Sequence, residues 1–270
     1  MRALRVIAVL WLTLASGTLW AADTAKPAIT VEEVLVPGTA RAAHLGSLVD
    51  SVAVTPDGVV VVGNGDRLWR VGASGARRID KVRGLRSFAF TPEGLLIGVS
   101  GRRLVYVNPH GVLKTFFILP AASMNIVPGV GDTIFLFGPE GHGHYGLYRL
   151  QPGRKVSKVL GTNRPITSVA QSGKDILLVA GGVLYGVSNG RLRLVAGEAK
   201  GKLVSVAADN ATGRIFVSDG AHIFQIDKGQ AVPLFGGLGG TLRWYGGGLL
   251  VLDAKRELVV RLLGSPVTGR

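Results

Sequence analysis

Cysteine is absent from the 270 residues. That absence removes disulfides, thiolate metal sites, a cysteine nucleophile and a lipidated cysteine anchor. It leaves the compartment open, because an exported chain of ordinary size does not depend on disulfides. Acid is scarce: 17 Asp and Glu stand against 31 Lys and Arg, a formal net charge of +14. A hard divalent cation draws on several carboxylates, so such a site has few residues to choose from. Beyond the first 22 residues no apolar run is long enough to span a bilayer, which takes about 20 residues. The motifs of common chemistry are missing too: no GxSxG elbow, no GxxxxGK[ST] phosphate loop, no HExxH, and no GxGxxG between a strand and a helix. Basic residues without interleaved surface aromatics give no nucleic-acid signature.

The positive charge favours acidic partners, whether nucleic acid, anionic lipid, acidic glycan or acidic protein. The basic residues are spread along the chain (Arg77, Arg78, Lys81; Arg102, Arg103; Arg154, Lys155, Lys158; Arg191, Arg193) and form no single block. Plain solubility is the simpler use of charge distributed in this way.

Met1–Ala22 reads MRALRVIAVLWLTLASGTLWAA: two arginines, a 15-residue apolar stretch over Val6–Trp20, then small residues at Ala21 and Ala22. This is the layout of a secretory signal peptide, cleaved after Ala21 or Ala22. Loss of Arg2 and Arg5 with it would lower the net charge from +14 to +12. Residues 23–28 read as a linker and 29–270 as a single domain. The mature chain is therefore expected in the periplasm or outside the cell.

What the chain has in abundance is internal repetition. Ser51–Val71 is SVAVTPDGVVVVGNGDRLWRV, and Ser87–Val107 repeats it as SFAFTPEGLLIGVSGRRLVYV. Weaker copies open at Asn125, Ser168, Ser205 and Thr241, so the intervals are 36, 38, 43, 37 and 36 residues. This is close to the roughly 40–45 residues of a four-stranded propeller blade. Each copy begins with a short strand containing small residues, such as Val52-Ala53-Val54 or Val206-Ala207. A turn follows: TPDG, TPEG, SGKD, DNATG or GGG. There Pro fixes one torsion and Gly accepts positive φ. The second strand is a continuous apolar run (Val59–Val62, Leu95–Ile97, Ile134–Phe137, Ile176–Val179, Ile215–Val217, Leu249–Leu252), the pattern of a strand buried on both faces. A third strand is bracketed by apolar pairs, Leu68/Val71 through Val259/Leu262. Just inside the first bracket sit Trp69, Val105, Tyr148, Tyr185, Phe224 and Val260, expected to pack between blades.

Copies one to five continue into a fourth strand; the sixth does not. The orphan strand Ile29–Val36 supplies the missing piece by pairing as the outer strand of the last blade, which closes the ring and removes an open sheet edge. The expected fold is all-β, a six-bladed β-propeller of four-stranded blades. The strand–TPDG–strand–turn–strand pattern resembles the NHL-repeat and gluconolactonase (regucalcin-like) propellers, with GRIFVSDGAHIFQID at Gly213–Asp227 nearest an NHL repeat. The resemblance spans Ser51 to Leu263 and implies topology; activity belongs to the site.

Such a propeller binds on the face that carries the loops between second and third strands and those entering the first. Polar candidates there are Asn64, Arg86, Asn125, Arg164, Asp219 and Asp253, each of which has turn capping as its ordinary use. The resemblance also implies an axial divalent metal with Glu, Asn and Asp ligands. Asn125 and Asp219 stand at matching places, but the region Ala42–Asp50 has no Glu. A second metal candidate is the insertion PEGHGHYG at Pro139–Gly146, whose Glu140, His142 and His144 are zinc- or copper-type ligands. The leading expectation is an exported, non-enzymatic monomer without a cofactor that binds a protein or acidic glycan of the cell envelope on its loop face. The alternatives are a metal-assisted, lactonase-like hydrolase and a peptidoglycan or glycan binder.

Overall fold

The computed structural model describes residues 29–35, 49–64, 67–72, 75–108, 111–151, 155–196 and 202–264, and these form 24 strands and no helix. Strand β1 (Ile29–Leu35) comes first. Blade one is β2 (Ser51–Val54), β3 (Val60–Asn64), β4 (Arg67–Gly72) and β5 (Gly75–Arg83). Blade two is β6 (Ser87–Phe90), β7 (Leu96–Ser100), β8 (Arg103–Val107) and β9 (Leu113–Ile118). Blade three is β10 (Asn125–Pro128), β11 (Ile134–Gly141), β12 (His144–Gln151) and β13 (Lys155–Thr162). Blade four is β14 (Ile166–Ser172), β15 (Asp175–Ala180), β16 (Val183–Ser188) and β17 (Arg191–Leu194). Blade five is β18 (Ser205–Ala208), β19 (Ile215–Ser218), β20 (His222–Asp227) and β21 (Gln230–Gly236). Blade six holds β22 (Thr241–Tyr245), β23 (Gly248–Asp253) and β24 (Leu258–Gly264), and β1 adds its outer strand in the order β1-β24-β23-β22.

The closing ladder is antiparallel and runs from Ile29↔Gly264 to Leu35↔Val259, with a bulge between Glu33 and Leu35. The ring closes as the repeat count requires. Val36, the last residue of the expected closing strand, and the expected signal peptide and linker over residues 1–28 lie outside the described residues.

The TPDG and TPEG turns work by one mechanism. Thr55 N–H donates to the Val59 carbonyl at 2.9 Å, Gly58 N–H returns to the Thr55 carbonyl at 2.9 Å, and Thr55 Oγ1 accepts from Val59 N–H at 2.9 Å. Thr91, Gly94 and Leu95 repeat the arrangement. Gly58 takes φ +87° and Gly94 φ +82°, a region that a side chain makes costly.

The core lies between blades. Adjacent residues of a second strand face opposite neighbours: Val61 packs toward blade two and Val62 toward blade six, both fully buried. Hence the unbroken apolar runs. The six residues just inside the third-strand bracket each join a different inter-blade cluster: Trp69, Val105, Tyr148, Tyr185, Phe224 and Val260.

The insertion at Pro139–Gly146 is shaped differently from a loop. The ladder of β11 and β12 continues to Gly141↔His144, so most of the segment is paired strand. Only His142 and Gly143 turn, both with positive φ (50° and 77°), as a two-residue hairpin matching strand twist requires.

Candidate functional site

The residue that opens each repeat copy forms a ring on the inner strands: Ser51, Ser87, Asn125, Ser168, Ser205 and Thr241. Several of these hydroxyls tie one blade to the next. Ser87 Oγ accepts from Ile126 N–H at 3.0 Å, Ser168 Oγ from Val206 N–H at 3.1 Å, and Ser205 Oγ from Leu242 N–H at 2.9 Å. The serines are thus spent on holding the ring together. This explains why a small hydroxyl recurs where each copy begins.

Around this ring a polar cup of about 130 Å³ opens on the loop face, lined by Asp50, Arg86, Asn125, Thr167, Thr241 and Arg243 among others. Gly63 makes room for it, since a Cβ there would stand 2.1 Å from Ser51 Oγ. Below the ring the axis widens into a vestibule of about 260 Å³ on the opposite face, walled by Phe90, Pro92, Pro128, Trp244 and Tyr245. Arg243 belongs to the walls of both.

Arg243 is the residue that sequence reasoning missed. It occupies the third position of its inner strand, where the other blades carry Ala53, Ala89, Val127, Ala170 and Ala207. Five small apolar residues and one arginine at an equivalent position is a signal present in the repeat alignment. Its Nη1 donates to the carbonyl of Leu242 at 2.9 Å, its one hydrogen bond among the described residues. A guanidinium carries five N–H donors, so most of its capacity is not taken up by the described residues. Burial lowers its pKa to about 10, which leaves it charged at neutral pH.

Two of the six binding residues expected from sequence meet in the cup, Arg86 and Asn125. The other four do not line it. Asp219 closes its own turn: its Oδ1 accepts from the N–H groups of Ala221 (2.8 Å) and His222 (2.7 Å), and Oδ2 lies 3.0 Å from His222 Nδ1. Burial raises the Asp219 pKa, but these hydrogen bonds outweigh it and hold the carboxyl below its usual range. Asp253 caps the turn ahead of it through Lys255 and Arg256 N–H, each at 3.2 Å. Arg164 lies with its guanidinium carbon 5.9 Å from the Tyr185 ring centroid, and Asn64 pairs with Arg67 at the end of β3.

The insertion's carboxylate is also occupied. Glu140 accepts from the Tyr148 hydroxyl and from Lys158 Nζ at 2.8 Å. The same pairing raises the Tyr148 pKa, behind the larger effect of burial. His142 and His144 are exposed at the hairpin tip. Among the described residues no group of three or more His, Cys, Asp or Glu is placed to share a metal ion. The donor set of the cup, one carboxylate beside two guanidinium groups, does not fit the divalent cation that the resemblance implies.

No protein-family model matches the chain, and no curated protein matches it in sequence. Solved structures do match in shape. A gluconolactonase from Xanthomonas campestris aligns with TM-score 0.65 at 16% identity, over 90% of this chain and 96% of that one. A virginiamycin B lyase from Staphylococcus aureus aligns with TM-score 0.59 at 8% identity, over 87% and 99%. The extracellular domain of a B. thetaiotaomicron protein assigned to the hybrid two-component systems aligns with TM-score 0.58 at 15% identity, over 88% of this chain and 34% of that one. At these identities the likeness is one of fold: the chain is a six-bladed β-propeller with the architecture of the gluconolactonase and lyase propellers.

Proposed function

We propose that this chain is a non-enzymatic, exported propeller that binds an acidic partner, a protein or glycan of the cell envelope, on the face where the axial cup opens. The observation that carries this reading is the charge of the cup. Arg86 and Arg243 face a single carboxylate, Asp50, and the axis therefore favours anionic groups over cations. A rigid ring that presents loops suits recognition, and a similar frame forms the extracellular domain of a protein assigned to the hybrid two-component systems, one of its structural neighbours. The test is capture of envelope components on the immobilised mature chain, compared with Arg86→Glu. The variant should lose most of the captured material and keep its melting temperature; undiminished capture sinks the assignment.

The likeness to a gluconolactonase favours a second reading, a metal-assisted hydrolase acting on lactones. Elemental analysis after dialysis against trace calcium and zinc, followed by lactone turnover, decides between the two. One equivalent of divalent metal together with turnover would replace the binding reading.

A further inference from the structure

The vestibule differs from the cup in chemistry as well as in position. Its wall is made of Phe90, Pro92, Pro128, Trp244 and Tyr245 with small residues behind them. Several polar groups at its rim are already used. Gln171 Oε1 accepts from Val130 N–H at 2.9 Å, and its Nε2 donates to the Gly173 carbonyl at 2.9 Å. Asn210 Oδ1 accepts from Gly173 N–H at 3.0 Å, and the Tyr245 hydroxyl lies 2.9 Å from the Thr55 carbonyl. No Asp or Glu lines the vestibule among the described residues. What remains is a largely apolar recess with Arg243 in its wall, whose guanidinium makes one hydrogen bond among the described residues, to the Leu242 carbonyl.

We infer that the vestibule is a binding site for a small amphipathic carboxylate, with the carboxylate on Arg243 and a short apolar body against Phe90, Trp244 and Tyr245. The planar fork of a guanidinium matches a carboxylate with two parallel hydrogen bonds. Removal from bulk water strengthens that pairing. The wall of Phe90, Pro92, Pro128 and Trp244 gives no partner to a polar group set against it, which selects a hydrocarbon or aromatic body. A volume of about 260 Å³ lies below the roughly 300–1,000 Å³ of pockets that take drug-sized ligands, so the body is a short one. The site lies on the face opposite the cup and goes beyond the upper-face reading, sharing only Arg243 with it.

Hexanoate, hexanamide and inorganic phosphate form the probe set, and Trp244, whose indole lines the vestibule, reports binding by fluorescence. Hexanoate should give a saturable change. Hexanamide, which lacks the charge, and phosphate, which lacks the apolar body, should each bind at least tenfold more weakly. Arg243→Met should weaken hexanoate at least tenfold while the fold is retained, and Arg243→Lys should recover part of the loss. Absence of saturable hexanoate binding, or equal binding of hexanoate and hexanamide by the unaltered protein, overturns the proposal whether or not the variants fold. So does wild-type hexanoate affinity in Arg243→Met, which would make the guanidinium a filler of the channel, and so does phosphate binding as tightly as hexanoate. Hexanoate binding that survives alongside unaltered partner capture in the Arg86→Glu variant would retire the reading proposed for the cup and leave this one standing.

Discussion

Replacing Arg243 by methionine should stabilise the ligand-free ring. Burial lowers the pKa of this guanidinium to about 10, and a displacement of that size from the ordinary arginine value corresponds to on the order of 3 kcal/mol against the charged form. The side chain keeps some contact with channel water and one hydrogen bond to Leu242, so the recoverable part is smaller, about 1–2 kcal/mol. Methionine is unbranched and adaptable and follows the stem of the arginine without a charge. For a domain of this size, about 1 kcal/mol moves the melting temperature by roughly 2–4 °C, so a rise of roughly 2–8 °C is expected. Calorimetry of the ligand-free protein measures it, and urea unfolding with an unchanged slope confirms that the native state is the one affected. The sign with pH follows from linkage. A base whose folded pKa is depressed carries its full penalty below the folded value and loses it as pH rises from about 10 toward the ordinary arginine value. The difference between variant and wild type should therefore be flat from about pH 6 to about pH 9. A melting temperature that falls in Arg243→Met would refute the reasoning, because the guanidinium would then stabilise the axis.

Two further outcomes test the frame. Ser205→Ala removes the acceptor of the buried Leu242 N–H and the neighbour of Ser168 Oγ at 3.2 Å. It should cost about 1–3 kcal/mol in denaturant unfolding, and a loss within error of zero would deny the serines their part in joining blades. Asp209 accepts from Thr212, from Arg214 at 3.0 Å and from Ala211 N–H at 3.0 Å. Burial raises its pKa, but these bonds outweigh burial and hold the carboxyl below the usual range. The stability it contributes is present above the ordinary carboxylate pKa of about 4 and is lost as pH falls through the lower folded value. Asp209→Asn should cost about 1–2 kcal/mol at neutral pH and show a shallower acid decline than the wild type; superimposable pH profiles would show that Asp209 does not carry this effect.

The architecture was legible because a blade is written in short-range terms. The TPDG turn, the unbroken Val59–Val62 run and the Leu68/Val71 bracket each state where a strand begins, which faces are buried and where the next turn falls. The closing role of residues 29–35 could be read because the sixth copy lacked a fourth strand. The site was harder, because it is assembled from residues of all six blades and the spacing between blades says nothing of which side chain reaches the axis. Asp219 and Asp253 sit at the right places in the repeat, but each carboxylate is spent on the N–H groups of its own turn, a use that spacing cannot separate from ligand binding. Arg243 was hidden for the opposite reason. The alignment emphasised what the copies share, whereas the informative position is the one where a single copy departs from Ala or Val. Glu140 looked free in a glycine-flanked insertion, and the partner that occupies it, Lys158, lies two strands on, in β13, 18 residues away.

The pairing of Ile29 with Gly264 also sets an order of events. Each of blades one to five is drawn from one continuous segment and can form as soon as that segment is available. Blade six waits for the two ends of the domain, and its ladder closes a loop of more than two hundred residues, a slow, non-local step in folding. Until then blade one has no neighbour on one side, and the faces of Val62 and Trp69 that pack on blade six are open to water. The interval before closure is when the chain is most exposed to aggregation. A circular permutant cut between blades one and two, with residues 264 and 29 joined, would turn this last encounter into a local one and shorten that interval.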